Sequence, residues 1–287
     1  MIFRKIILSI LISIIAVFAL AQSQQENLRF ALYLMDKKNY DEAIYVLTQL
    51  SRAKTNTSFS DSVNFLLGKT YYNLQELDLS SKYFNKLSGT RSRLKSEAVF
   101  FSSFNQAYLR NTTQSIQQLK FYDPEENLQA LKIFELSGFY LLSRNFNAFD
   151  SLSILQNVTG YQFNEQLNNF SNYRKRLEQT KNKSMFAGGM MSAIIPGSGK
   201  IYAGRPGQGI YNFFITGILG LQTLEAYNKS GPESFRFIAY ATLFSSFYIG
   251  NIWGSALAVK VKRDETLQGI DQQILFDLHI PLRTIFH

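Results

Sequence analysis

The residues whose types and spacing come nearest to chemistry are Gly197-Ser198-Gly199-Lys200 and the two histidines, His279 and His287. A glycine-rich turn ending in lysine suggests a phosphate cradle. The nucleotide motif, however, is G-x-x-x-x-G-K-[ST], and the places of its first glycine and its hydroxyl are held by Ile194 and Ile201. No strand pattern precedes the turn, so nucleotide binding is not expected. No second group of ligands accompanies the histidines, and the chain has no cysteine. That excludes disulfides, thiolate metal sites, cysteine nucleophiles and a lipid-modified cysteine after a leader. Neither a nucleophile with its base nor a pair of carboxylates can be named. The expectation is a protein that is not an enzyme, with no cofactor and no metal.

The elements that hold these residues fall into two solvents. At 287 residues, 46% hydrophobic, with 25 Phe and 16 Tyr, the chain is long and apolar enough to bury a real core. Lys and Arg against Asp and Glu number 2 and 0 over residues 1–21, 15 and 14 over 22–172, and 13 and 7 over 173–287. The net charge of +9 therefore sits mainly on the C-terminal part. There it suits anionic lipid headgroups better than nucleic acid, because no basic helix or stacking platform accompanies it. Residues 1–21 read as a cleaved signal peptide, with Arg4 and Lys5, an apolar run from Ile6 to Phe18 and Ala19-Leu20-Ala21. An uncleaved anchor is the alternative, and either way the chain from Gln22 onward is exported.

Residues 22–163 carry a faint repeat. Phe30-Ala31-x-x-Leu34 is followed by Asn39-Tyr40-x-x-Ala43-x-x-x-Leu47, then Leu67-Gly68-x-x-Tyr71 by Ser80-x-x-x-Phe84, with Ala43 and Ser80 as equivalent small positions. Weaker copies run from Phe100 to Leu119, breaking at Arg110-Asn111, and from Leu136 to Leu155, breaking at Asn145. In these, Leu136-x-Gly138-x-x-Leu141 opens the last copy, and Ser115 and Asp150 are equivalent positions that keep a spacing of 35. Ala43, Gly68, Tyr71, Ser80 and Phe84 together resemble the tetratricopeptide pattern, in which small residues let two helices of a hairpin close. The resemblance implies a solenoid of four hairpins whose concave groove, lined by the first helix of each pair, binds a protein partner. Residues 164–183 read as a basic capping or linker helix.

Residues 184–263 read as a membrane module. Gly209 to Tyr227 and Phe237 to Val259 are long apolar segments joined by Asn228-Lys229-Ser230-Gly231-Pro232-Glu233-Ser234, and so form an expected transmembrane hairpin. Gly250 and Gly254 (a G-x-x-x-G), with Gly217 and Gly220 opposite, offer small faces for packing inside that hairpin or, secondarily, for a homo-oligomer. Glu225 and Arg236 can pair near its turn. Met185 to Ile195 is too short to span, and reads as re-entrant or interfacial with Tyr202 at headgroup depth. Pro196, Gly197, Gly199, Tyr202, Gly204 and Gly209 resemble the P-G-x-G-x-x-Y-x-G signature of small bacterial membrane domains with two hydrophobic helices, a family that brings no enzymatic activity. Segment length favours two crossings. The distribution of Lys and Arg favours three.

Residues 264–287 form a tail whose partly alternating Ile274 to Leu282 suits a strand or an interface-lying segment. The fold class expected is thus all-α: a tetratricopeptide-like helical solenoid, a re-entrant or interfacial helix and a transmembrane helical hairpin. The expected role is an exported scaffold on the bacterial inner membrane, repeats in the periplasm, that binds or organises other envelope proteins. A small oligomeric pore or insertion-assisting module, with the repeats as receptor, is the alternative. The partners expected are a protein in the groove and the lipid bilayer, secondarily a second copy in a homo-oligomer, and no nucleic acid.

Overall fold

The computed structural model describes residues 24–53, 56–88, 92–159, 163–181 and 183–286, and every regular element among them is helical. The expected leader and His287 lie outside the described residues. The chain forms two compact units, Met1–Leu167 with Leu275–His287 and Asn168–Ile274.

The first unit is built of helical hairpins. They are α1 (24–36) with α2 (Tyr40–Arg52), α3 (Thr57–Asn73) with α4 (Leu77–Phe84), α5 (Arg93–Tyr108) with α6 (Thr112–Phe121), and α7 (Gln129–Leu142) with α8 (Phe146–Thr159). All four turn in the same way. A non-glycine residue sits in the left-handed region at Lys38, Gln75, Arg110 and Arg144, with φ of 61°, 64°, 67° and 60°. The residue after it donates its N–H back to the carbonyl five positions earlier: Asn39 to Leu34, Glu76 to Tyr71, Asn111 to Gln106, Asn145 to Tyr140. This pattern ends one helix, satisfies its last carbonyls and aims the chain into the next.

That turn fixes the register of the repeats. Seven residues before it stand Ala31, Gly68, Ser103 and Ser137, and five after it stand Ala43, Ser80, Ser115 and Phe149, all buried. Close approach is the reason for the small ones. A Cβ at Gly68 would lie 2.5 Å from the Phe84 ring, well inside carbon–carbon contact distance. The equivalent position expected at Asp150 is displaced by one residue, and the counterpart of Gly68 stands next to Gly138. Ser137, not Gly138, is equivalent to Gly68, and the buried Phe149, not the exposed Asp150, is equivalent to Ser80.

The second unit holds most of α9 (Asn164–Lys181), then α10 (Met185–Ile194), α11 (Ser198–Tyr202), α12 (Pro206–Ser230) and α13 (Phe235–Phe286) as far as Ile274. Gly231, at φ 79°, turns the chain between α12 and α13. Two expectations change here. No helix among the described residues is long and apolar enough to cross a membrane, because α12 carries Asn212, Gln222 and Glu225 and α13 carries Ser245, Ser246 and Asn251 within their apolar stretches. The tail, in turn, is neither strand nor separate segment, for α13 continues without a break through Pro281 to Phe286.

Candidate functional site

Two places gather the residues singled out by the sequence. The first is the glycine-rich turn of the second unit. Gly197, at φ 87°, caps α11, and a Cβ on it would fall 2.0 Å from the carbonyl oxygen of Gly209. A Cβ on Gly199 would fall 1.8 Å from the carbonyl oxygen of Gly188, and one on Gly209 would fall 2.5 Å from Ile201 Cγ1. Backbone lies on backbone at these three positions, so only glycine fits. Gly204 has open space around it but φ 86°, and closes α11 through its N–H to Ile201 and that of Arg205 to Lys200. Tyr202 accepts from the Ser184 N–H at 3.2 Å, tying the end of α11 to the start of α10. Pro196 stands in the turn between those helices.

The N–H groups of residues 198–201 at this turn bond inward. The Gly199 N–H donates to Ser192 Oγ at 2.9 Å, Ser192 Oγ donates to Ser255 Oγ at 2.7 Å, and the Tyr248 hydroxyl donates to the Ala193 carbonyl. The N–H groups of Ser198, Lys200 and Ile201 go to Ile195, Gly197 and Gly197. These four N–H groups are thus all taken up within the bundle and none is presented to a phosphate.

The four helix-packing glycines separate. Gly220 rests on Phe244, with its Cβ position 3.2 Å from the ring, and Gly254 lies beside the Lys200 side chain rather than on α12. Gly217 and Gly250 have nothing within 4 Å, so they do not pack inside the hairpin. α12 also meets α13 through a hydrogen bond, Asn212 Nδ2 donating to Asn251 Oδ1 at 2.8 Å, and through the Tyr227–Phe237 ring pair at 5.5 Å. Near the turn Glu225 accepts from Lys229 at 2.8 Å, with Arg236 at 3.7 Å.

Over residues 185–257 small and polar side chains lie inside and large apolar ones outside, whereas the rest of this unit buries Phe170, Leu177, Val259, Ile270 and Ile274. Gly188, Gly199, Ser192, Thr216, Asn251 and Ser255 are buried. Outside stand Phe186 (76% exposed), Ile194 (77%), Leu221, Phe214, Trp253 and Leu257. Small and polar side chains inside with large apolar ones outside is the reverse of a water-facing domain.

The second place is the face of the repeats formed by α3, α5 and α7, the first helices of their hairpins. The end of α13 lies on it. Leu278, Leu282 and Phe286, every fourth residue, are all buried. A Cβ on Gly138 would lie 2.5 Å from Leu278 Cδ2, which explains the glycine in mid-helix. The Tyr72 hydroxyl and His279 Nε2 share a hydrogen bond, His279 stacks on Phe104 at 5.1 Å, and Phe286 meets Phe100 and Phe101 at 5.7 and 6.2 Å. Burial pushes the Tyr72 hydroxyl up to about 12, so it stays protonated. His279, which the sequence alone left incidental, therefore anchors the tail.

The residues of the repeat signature lie behind this face. Ala43, Ser80 and Phe84 are buried, Tyr71 stacks on Tyr83 at 5.4 Å, and Ser80 accepts from Asn105 Nδ2 at 2.9 Å. Glu135 on α7 is fully buried with neither carboxyl oxygen hydrogen-bonded, and burial drives its carboxyl well above the ordinary range. Lys69 of α3 and Glu97 of α5 pair at 2.8 Å. Among the described residues no group of acids and histidines could hold a metal ion.

Comparison with protein-family models, with curated proteins and with solved structures finds no match to this chain.

Proposed function

We propose that the chain is a membrane-anchored helical-repeat scaffold, held in lipid by the unit 168–274 and presenting its tetratricopeptide-like hairpins to a protein partner in the cell envelope. One observation carries the anchoring: the inverted surface over residues 185–257, with Phe186, Ile194, Leu221 and Trp253 outside and serine, asparagine and glycine inside. In lipid there is no hydrophobic drive between helices, and they hold together by small residues, close backbones and internal hydrogen bonds. The Gly188–Gly199 approach and the Asn212–Asn251 and Ser192–Ser255 bonds are of that kind. Because no single helix is apolar enough to cross alone, immersion belongs to the packed bundle. Of the polar groups that lower the helices' hydropathy, Asn212 and Asn251 are turned toward each other, while Ser245 and Ser246 face outward.

Two further points support the reading. Leu275–His287 shares a compact unit with the repeats, which favours an even number of crossings and the two-pass arrangement. The repeat face is lined by the chain's own C-terminal helix, so a partner that takes it presents a helix with an apolar residue at every fourth position, as Leu278, Leu282 and Phe286 do.

The test is extraction and labelling. Isolated membranes are washed with alkaline carbonate, and a photoactivated carbene reagent dissolved in the lipid maps the contacts. The protein is expected in the pellet, with label on Phe186, Leu221 and Trp253 and none on Tyr45, which is exposed in the first unit. Release by carbonate, or equal labelling of both units, would overturn the anchoring.

A further inference from the structure

A cavity of about 750 Å³ opens in the first unit, where the first two hairpins and α5 meet the C-terminal helix. Its size falls in the range of small-molecule sites. Its lining is largely aromatic, with Phe84, Phe101, Phe104 and Phe286, and it includes the cations Lys38, Lys69 and Arg283. No carboxylate lines it. Lys69 is neutralised by Glu97 from outside the cavity, whereas neither Lys38 nor Arg283 pairs with a carboxylate among the described residues. Glu135, whose charge bears on nearby Tyr72, is favoured in its neutral form by burial.

The charge is local rather than diffuse. Residues 22–172 carry 15 basic and 14 acidic side chains, so two uncompensated cations in a largely aromatic lining are not a by-product of a basic domain. Lys38 owes its place to the left-handed turn that ends α1, and Arg283 to the helix turn after His279.

From this geometry we infer that the cavity binds an amphiphilic anion: a carboxylate or phosphate held by Lys38 and Arg283, with its apolar chain against the rings. The chain replaces water over the aromatic faces, and the two cations supply charge-assisted hydrogen bonds at the mouth. Such a ligand bridges hairpins and C-terminal helix, and binding it stabilises the docked tail by mass action. The inference does not depend on the membrane reading.

The full-length protein in phosphatidylcholine nanodiscs is titrated with carboxyl-¹³C octanoate, a free single-chain anion, and separately with dioctanoyl phosphatidate, its lipid counterpart. Empty nanodiscs give the partition background, and octylammonium is the charge-reversed control. Saturable binding of one anion per chain is expected from one or both anions, and which of them binds identifies the source. Lys38→Asn, which tolerates the left-handed backbone, and Arg283→Gln should each weaken binding about tenfold. Both side chains are exposed, so thermal unfolding should not shift. Octylammonium binding as well as octanoate, absence of saturable binding by either anion, or a double variant that still binds as wild type would overturn the inference.

Discussion

The docking of the C-terminal helix on α7 can be tested by a size exchange between Gly138 and Leu278. A methyl group at 138 would lie 2.5 Å from Leu278 Cδ2 and 2.9 Å from Cδ1 and Cγ, more than 0.5 Å inside the roughly 3.5–4.0 Å of favourable carbon contact. Gly138→Ala alone should cost about 1–3 kcal/mol by overpacking, offset by about 1 kcal/mol of helix propensity in mid-helix. Leu278→Ala alone removes a fully buried side chain and should cost about 2–5 kcal/mol. In the double variant the atoms that clash are those that have been deleted, and the new methyl fills part of the void. Its loss should therefore fall short of the sum by about 1–3 kcal/mol. Denaturant unfolding gives the four free energies, and hydrogen exchange over residues 275–286 shows whether the tail opens alone. On its own, Leu278→Ala should speed that opening roughly thirtyfold or more. Additivity within about 0.5 kcal/mol, the behaviour of sites that do not touch, would refute the contact.

Glu135 predicts a pH dependence. Its carboxyl lies above the ordinary value when folded, so the folded state binds that proton more tightly than the unfolded one. The stability it contributes is present below the ordinary carboxylate range and lost as pH rises toward the raised value, at one proton's worth per pH unit. Glu135→Gln should match wild type in acid and exceed it at neutral and alkaline pH, and parallel melting curves across pH 4–9 would contradict this. Gly199→Ala places a carbon 1.8 Å from a backbone oxygen and should prevent the second unit from folding, whereas Gly250→Ala, mid-helix with nothing within 4 Å, should leave its circular dichroism unchanged and gain up to about 1 kcal/mol of helix propensity. Arg110, left-handed at φ 67°, should give way to glycine with a gain of about 0.5–1 kcal/mol, while Arg110→Val should lose about 1–2 kcal/mol, as read by thermal unfolding.

Much of the hairpin array is legible in the sequence because its determinants are local. Asn39-Tyr40, Arg110-Asn111 and Asn145 stand at the breaks between helices, and Ala43, Ser80 and Gly68 are small where helices close. The fourth hairpin misleads because it holds two candidates for one place: Gly138 looks like the counterpart of Gly68, yet its missing side chain accommodates Leu278, 140 positions away along the chain. A long-range contact leaves no mark in a 35-residue period. The tail misleads for a similar reason. Partial alternation and Pro281 argue against a helix, but Leu278, Leu282 and Phe286 bury one continuous stripe, and that burial outweighs the loss of one hydrogen bond near a helix end. The spacing of four that begins at Ile270 and Ile274 is the signal in the sequence that marks this helix.

The second unit shows why the helix that carries a polar residue need not be a poor candidate for lipid. Hydropathy averages over all sides of a helix, but lipid meets only one. On α12, Thr216 is buried and Asn212 is turned toward Asn251, while Phe214, Ile218 and Leu221 stand exposed. On α13, Asn251 and Ser255 are buried while Phe247, Trp253 and Leu257 stand exposed. The average over each helix falls below that of a lone span, yet the outer face is dominated by large apolar side chains, with Thr242, Ser245 and Ser246 among them on α13. An isolated helix would have to satisfy Asn251 in hydrocarbon by itself. The packed pair satisfies its carbonyl with Asn212. Under the proposed anchoring, insertion is a property of the folded bundle, and disrupting the glycine contacts that hold the bundle should abolish membrane retention without removing a single exposed apolar side chain.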